Sequence, residues 1–301
     1  QNILYKVEGS KKKGMGHVFR SYYLIKSLKK KYNIIIFTKK NSESDIFFKK
    51  KNFKVITYSI LDEYKIFNEI FKNFRIIKFI NNYIFINRKL HNFLLKLKIK
   101  SFFLDTNSVK ATENIHCINT FIDTKQKHKN YYAGLKYIIS DPNLSIIKKK
   151  TANIESKILL HFGATDDKRL NIKIINFLIS FKKKFSLEII LGPGLDYDKN
   201  KIYEMIKEIK FKCKIYNYPK NLNKIYNNSN IVITSGGNTL FNFCSLGKKN
   251  ISISTNKLEI GSCKKMENLK LTNYAGHYNS ITKKIFLNLL VNLFSKRNNK
   301  I

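Results

Sequence analysis

The apolar positions of this chain fall into two series of short alternating runs. Ile3, Leu4, Tyr5 and Val7 read as a first strand, and Val18, Tyr22, Leu24, Ile25 and Leu28 recur behind it at helical spacing. Residues 34–37 form the unbroken apolar run expected of a strand buried on both faces, and 53–58 (FKVITY) read as a third strand. The polar segment 38–51 is expected to be a loop with a short helix, and 61–74 has helical periodicity. The apolar, lysine-rich segment 76–98 reads most simply as one or two helices. Residues 100–105 (KSFFLD) read as a strand ending in a carboxylate, and 117–122 as another. A polar stretch at 140–156 reads as a linker, after which the alternation restarts. Strands are expected at 157–163, 186–191, 213–218, 230–234 and 250–254. Helices are expected at 172–181, 202–209, 222–226, 241–246 and 281–296. Strand and helix at this spacing predict an α/β chain of two βαβ domains with parallel sheets, divided as 1–145 and 146–301.

Two glycine loops, one in each half, join a strand to a helix. The first is Gly14-Met15-Gly16-His17-Val18-Phe19-Arg20. Its glycines let backbone approach a ligand, and the free N–H groups of the helix start favour an anion such as a diphosphate. His17 stands there as a group able to exchange a proton near neutral pH. The second is Ser235-Gly236-Gly237-Asn238-Thr239, which offers hydroxyl, amide and N–H donors at a helix start without the Gly-Lys-Ser/Thr ending of an ATPase loop. Asp105, at the carboxyl end of a strand, lies where open α/β sheets place ligand groups. Of the other histidines, His91 and His116 read as structural, His128 and His277 as loop and turn residues, and His161 as a secondary site candidate.

Charge adds one question. Lys+Arg number 58 against 20 Asp+Glu, a net charge of +38 over 301 residues. The lysines are spread through every segment and arginine is rare, which argues against dedicated nucleic-acid binding while drawing in anionic substrates. Cys117, Cys213, Cys244 and Cys263 lack metal or disulfide spacing, so a reducing cytoplasmic setting and no metal or cofactor are expected. No apolar run has the length of a membrane span. The first half shows no evident apolar patch for a lipid acceptor. The chain opens on Gln1, which leaves room for a fused or partner sugar-nucleotide enzyme upstream.

In their order along the chain, these motifs resemble the GT-B nucleotide-sugar superfamily. Within it, the chain is most similar to the UDP-2,4-diacetamido-2,4,6-trideoxy-β-L-altropyranose hydrolases of pseudaminic acid biosynthesis and the related spore-coat polysaccharide proteins. The pattern Gly-x-Gly-His-x-x-Arg appears as Gly14, Gly16, His17 and Arg20. Asp-His-Tyr appears as Asp105-Thr106-Asn107, and the Gly-x-x-Tyr stretch before the linker as 134–138. The turn opening the second half appears as Gly163-Ala164-Thr165-Asp166, the Ser-x-Gly-x-Thr loop as 235–239, and Asn-Gln as Asn256-Lys257. The acidic residue that follows the loop threonine in related transferases is Asn242 here.

The resemblance implies two Rossmann-like domains facing across a cleft. It implies a UDP-sugar whose diphosphate lies on 235–239, with Gly163 and Thr165 lining the nucleotide side, Asp105 and Asn256 the sugar side, and Arg20, Asn107, Asp166 and Asn242 among the substrate-binding residues. His17 would orient or deprotonate the attacking water, releasing UDP and free sugar without a metal. A glycosyltransferase of the same fold, with a hydroxyl acceptor in place of water, is the alternative. A non-catalytic protein that binds nucleic acid or another anionic polymer is the second.

Overall fold

The computed structural model describes residues 1–10, 15–83, 85–106, 108–120, 126–144, 156–195, 197–219 and 222–295. Gly14, Asn107 and the linker positions 145–155 lie outside them. The chain divides into two compact units, Gln1–Ile139 and Ser140–Ile301.

In the first unit β1 (Asn2–Val7), α1 (Gly16–Leu28), β2 (Asn33–Lys39), α2 (Glu43–Lys50), β3 (Lys54–Tyr58) and α3 (Glu63–Asn73) follow one another. After them come β4 (Ile76–Asn82), α4 (Arg88–Leu97), β5 (Lys100–Leu104), β6 (Ile115–Asn119) and β7 (Tyr131–Ala133). Among the described residues the strands form one sheet in the order β3-β2-β1-β4-β5-β6-β7, and every described pairing is parallel. A parallel sheet is covered on both faces, and the residues show it. Leu4, Phe37, Phe79 and Phe103 pack into one layer, and Tyr5, Ile36, Ile80 and Leu104 into the other. Each such side chain contributes about 1.5–3 kcal/mol by leaving water.

One sequence expectation fails here. Segment 76–98 holds a strand as well as a helix, and that strand, β4, is hydrogen-bonded to β1 at the centre of the sheet. Ile76, Phe79 and Ile80 are buried on its two faces, so the alternation that marks a half-exposed strand is absent.

The second unit runs β8 (Ser156–His161), α5 (Leu170–Leu178), β9 (Phe185–Leu191), α6 (Asn200–Lys207), β10 (Cys213–Asn217) and α7 (Leu222–Asn228). It continues through β11 (Ile231–Ser235), α8 (Asn238–Ser245), β12 (Lys249–Ser254), α9 (Lys257–Asn268), β13 (Asn273–His277) and α10 (Lys283–Ser295). Its sheet, also parallel, has the order β10-β9-β8-β11-β12-β13. The sequence reading had no counterpart for α9 or β13. The helix carries Gly261 in its middle and little apolar periodicity, and the strand, NYAGH, is an edge strand without an apolar run. Both units are therefore doubly wound α/β domains, as the alternation predicts. In each, the strand order reverses beside the first strand of the unit, between β1 and β4 and between β8 and β11. Open sheets of this kind bind ligands at the carboxyl ends of the two strands that flank the reversal.

Candidate functional site

At the reversal in the first unit, a polar cluster is built from α1 and the ends of β4 and β5. Gly16 is the first residue of α1, whose start has no side-chain cap. His17 and Arg20 lie one helical turn apart on α1, so both side chains project toward the same strand ends. Arg20 is 5% exposed and forms a buried ion pair with Asp105. Its other terminal nitrogen bonds Asn82 Oδ1 and lies 3.2 Å from His17 Nδ1. Asp105 has φ +50° and is 5% exposed. Its Oδ1 accepts from the N–H of Thr120 at 2.6 Å and from its hydroxyl at 2.7 Å. Arg20 and Asp105, expected as direct ligand contacts, thus neutralise each other beneath His17.

Asn82, at the end of β4, holds the cluster in register. Its amide nitrogen donates to Ser21 Oγ at 2.7 Å and to the main-chain oxygen of His17 at 3.3 Å, so its Oδ1 faces Arg20 and His17 Nδ1, the latter at 3.3 Å. The imidazole therefore has two available states. With the proton on Nδ1, it donates to Asn82 and leaves Nε2 as a base. With Nδ1 accepting from Arg20, Nε2 carries the proton and acts as an acid. Burial, and then the Arg20 charge, pull its pKa down to about 4, so the ring is neutral at neutral pH. Asp105 opposes that pull.

In the same unit, the loops that leave β3 and β4 carry apolar side chains into solvent. Ile60 is 75% exposed, Leu61 99% and Phe85 63%. The Phe85 ring lies 6.1 Å from Tyr83, which in turn meets His17 edge-on at 6.5 Å. Asn87 donates to Glu63 at 3.2 Å and ties the two loops together. These three exposed side chains belong to the half in which no apolar patch for a lipid acceptor is expected. They sit in loops, where helical or strand periodicity gives no sign of exposure.

The second unit builds its own site at its reversal. Gly163, after β8, has φ +84°, and a Cβ there would stand 3.9 Å from Thr239 Oγ1. The two glycine turns of this unit are thus neighbours. The Gly192 turn closes under them, with Gly194 N–H donating to Ala164 O at 2.8 Å. Ser235 ends β11 and is buried, Gly237 caps α8 with no side-chain bond, and Asn238 and Thr239 open the helix. The N–H groups of this first turn form the donor set that suits a diphosphate.

Five further positions complete the description of this unit. Asp166 is buried and caps α5, accepting from the N–H groups of Leu170 (2.7 Å) and Asn171 (3.0 Å) and from the Tyr197 hydroxyl (2.6 Å). Burial pushes its pKa up to about 6. Asn256 caps α9 by accepting from Glu259 N–H at 3.1 Å, and Asn242 lies half-buried one turn along α8. Thr165 is half-buried in the turn after β8. His161 is buried, with Nδ1 2.9 Å from the Tyr226 hydroxyl and its pKa lowered to about 4 by burial, which marks it as a framework residue.

The sequence reading missed Asn82, Thr120 and Glu259. Reading 76–82 as a strand would have exposed Asn82 as its carboxyl-end residue. Thr120 follows the strand end at Asn119 in the same way. Among the described residues no group of three or more His, Cys, Asp or Glu side chains could hold a metal, and no helix is long and apolar enough to cross a membrane.

Comparison with solved structures aligns nearly the whole chain. MurG of Acinetobacter baumannii superimposes with a TM-score of 0.76 over 98% of this chain and 91% of its own, at 11% identity. The fold is GT-B. The spinosyn rhamnosyltransferase SpnG complexed with thymidine diphosphate gives a TM-score of 0.66 over 98% of this chain and 92% of its own, at 9% identity. At these identities the likeness speaks for the fold. In sequence, residues 147–284 match the glycosyltransferase family 28 C-terminal domain. The uncharacterized protein MJ1062 of Methanocaldococcus jannaschii is 28% identical over 275 residues, covering 84% of this chain and 55% of that protein. This chain thus spans about half the length of that curated relative.

Proposed function

We propose that this protein is a nucleotide-sugar-dependent enzyme of the glycosyltransferase type. The observation that carries the reading is the start of α8 with its glycine loop, set beside Gly163 at the strand reversal of a unit that matches a glycosyltransferase domain. There the N–H groups of 237–239 and the Thr239 hydroxyl meet the donor's diphosphate and stabilise the charge of the leaving nucleotide. The first unit supplies acid–base chemistry. His17, neutral and oriented by Asn82, accepts the proton of the attacking hydroxyl through Nε2. Arg20 opposes the resulting imidazolium, and Asp105 offsets Arg20.

Exposed Phe85, beside Tyr83 and through it His17, favours an acceptor that brings an apolar portion with its hydroxyl. Water as acceptor is the second reading, and the ordered series Gly16, His17, Arg20, Asp105 and 235–239 supports it through its resemblance to the UDP-sugar hydrolases. Incubation with UDP- and dTDP-sugars, alone and with alkyl-linked sugar acceptors, separates the two when released nucleotide and sugar products are read by mass. Release of nucleotide only with an acceptor supports transfer, and release with water alone supports hydrolysis. Absence of both nucleotide binding and release would refute the enzyme reading altogether.

A further inference from the structure

The second glycine loop is braced by a carboxylate from another element. Glu259, in the first turn of α9, accepts through Oε2 from the N–H of Thr255 at 2.7 Å and from its hydroxyl at 2.8 Å. The same carboxylate accepts from the main-chain N–H of Gly236. The contact is close. A Cβ on Gly236 would meet Glu259 Cβ at 2.9 Å, and a Cβ on Gly237 would meet Glu259 Oε1 at 3.3 Å. Among the described residues no ammonium or guanidinium pairs with Glu259.

The titratable groups facing it are Asp167 from the turn after β8, Cys263 on its own helix and Tyr274 on β13. Burial first, and Asp167 in addition, push the Glu259 pKa above the usual carboxylate range. An anion received by the N–H groups of residues 237–239 would lie beside this uncompensated carboxylate. Two like charges that close cannot both be retained cheaply in a partly buried site.

We propose that Glu259 is the positioning residue of the phosphate loop and that a nucleoside diphosphate binds there together with one proton, taken from solvent onto Glu259. This rests on the reading that the loop receives a nucleotide. By linkage, a ligand that raises the pKa of a group binds more tightly when that group is already protonated. Nucleotide affinity therefore falls as pH rises through the Glu259 pKa, by at most about tenfold per pH unit for one proton. The protonated carboxyl still accepts from Thr255 and Gly236, so the loop keeps its brace while the negative charge is removed.

The test is calorimetric titration of the full chain with UDP, and with dTDP in parallel, from pH 5 to 8 in two buffers of different ionisation enthalpy. The expected result is net proton uptake on binding and weaker binding at higher pH. Glu259→Gln is expected to bind UDP roughly tenfold more tightly at pH 7.5 and to lose the proton uptake beyond what UDP itself contributes. Asp167→Asn, which removes a neighbouring charge on an exposed side chain, is expected to reduce the uptake and serves if the glutamine variant does not fold. A purely structural brace would leave the proton count unchanged. Equal proton counts and affinities in wild type and Glu259→Gln, or no excess uptake in wild type, would overturn the proposal while leaving the nucleotide reading intact. No binding of either nucleotide at any pH would overturn both.

Discussion

Replacing Asp105 with asparagine isolates one charge in the first unit. Position 105 has φ +50°, a left-handed conformation that asparagine tolerates as well as aspartate, so the backbone has no reason to move. An oxygen remains for Thr120. What is lost is the counter-charge of Arg20, which is 5% exposed and has no other carboxylate partner among the described residues. Breaking a buried pair by removing one member costs about 3–5 kcal/mol, because the remaining charge stays buried and uncompensated. That is a large share of the roughly 5–15 kcal/mol that holds a domain folded. Asp105 also opposes the depression of the His17 pKa, so asparagine lowers that pKa further and weakens His17 as a base.

The assay is urea unfolding followed by far-UV circular dichroism and by tyrosine fluorescence, since the chain has 17 tyrosines and no tryptophan. Two units call for separate transitions in the fit. Adding Arg20→Gln to Asp105→Asn removes both charges, and the double variant is expected to recover at least about 2 kcal/mol relative to the additive sum. An Asp105→Asn protein within about 1 kcal/mol of wild type, or a double variant that is simply additive, would refute the view that this pair balances the cluster beneath His17.

Other outcomes follow from the same geometry. His17→Ala should reduce turnover by about 10²–10⁴ while leaving UDP affinity within about twofold, measured by nucleotide release and calorimetry. Gly192→Ala places a Cβ against the main-chain oxygens of Gly163 and Ala164, which cannot swing aside, so circular dichroism should show lower stability and calorimetry weaker nucleotide binding. Phe85→Ser should raise KM for an alkyl-linked acceptor, while Leu61→Ser, whose side chain is already in water, should leave thermal stability unchanged. Acid should loosen the first unit, while in the second two buried groups offset each other. His17 and His161 have folded pKa values near 4 against 6.5 in the unfolded chain, so each costs up to about 3 kcal/mol of stability as pH falls from 6.5 to 4. Asp166, raised to about 6, works the other way in the second unit, its burial penalty lifting as pH falls below 6. A His17→Gln variant should therefore resist acid unfolding of the first unit to lower pH, followed by circular dichroism.

The sequence could be read wherever one physical demand dominates a stretch of chain. Strands buried on both faces are apolar along most of their length, and the unbroken 34–37 run declares itself for that reason. Glycine loops between such strands and a following helix mark the carboxyl ends of parallel sheets, which is why His17 and residues 235–239 could be singled out. The reading failed where two demands overlap. In 76–98 a central strand passes into an amphipathic helix through a short loop, and both mix large apolar residues with Lys and Asn, so the boundary has no clear compositional sign. Missing that strand meant missing Asn82, the residue that orients the imidazole. The pairing of Arg20 with Asp105 was equally invisible, because 85 positions separate them and only the sheet order brings α1 over the end of β5. Glu259 was hidden in a helix of weak pattern. Local sequence therefore locates the two loops, while the groups that set their charge and proton balance come from strands and helices that topology alone makes neighbours.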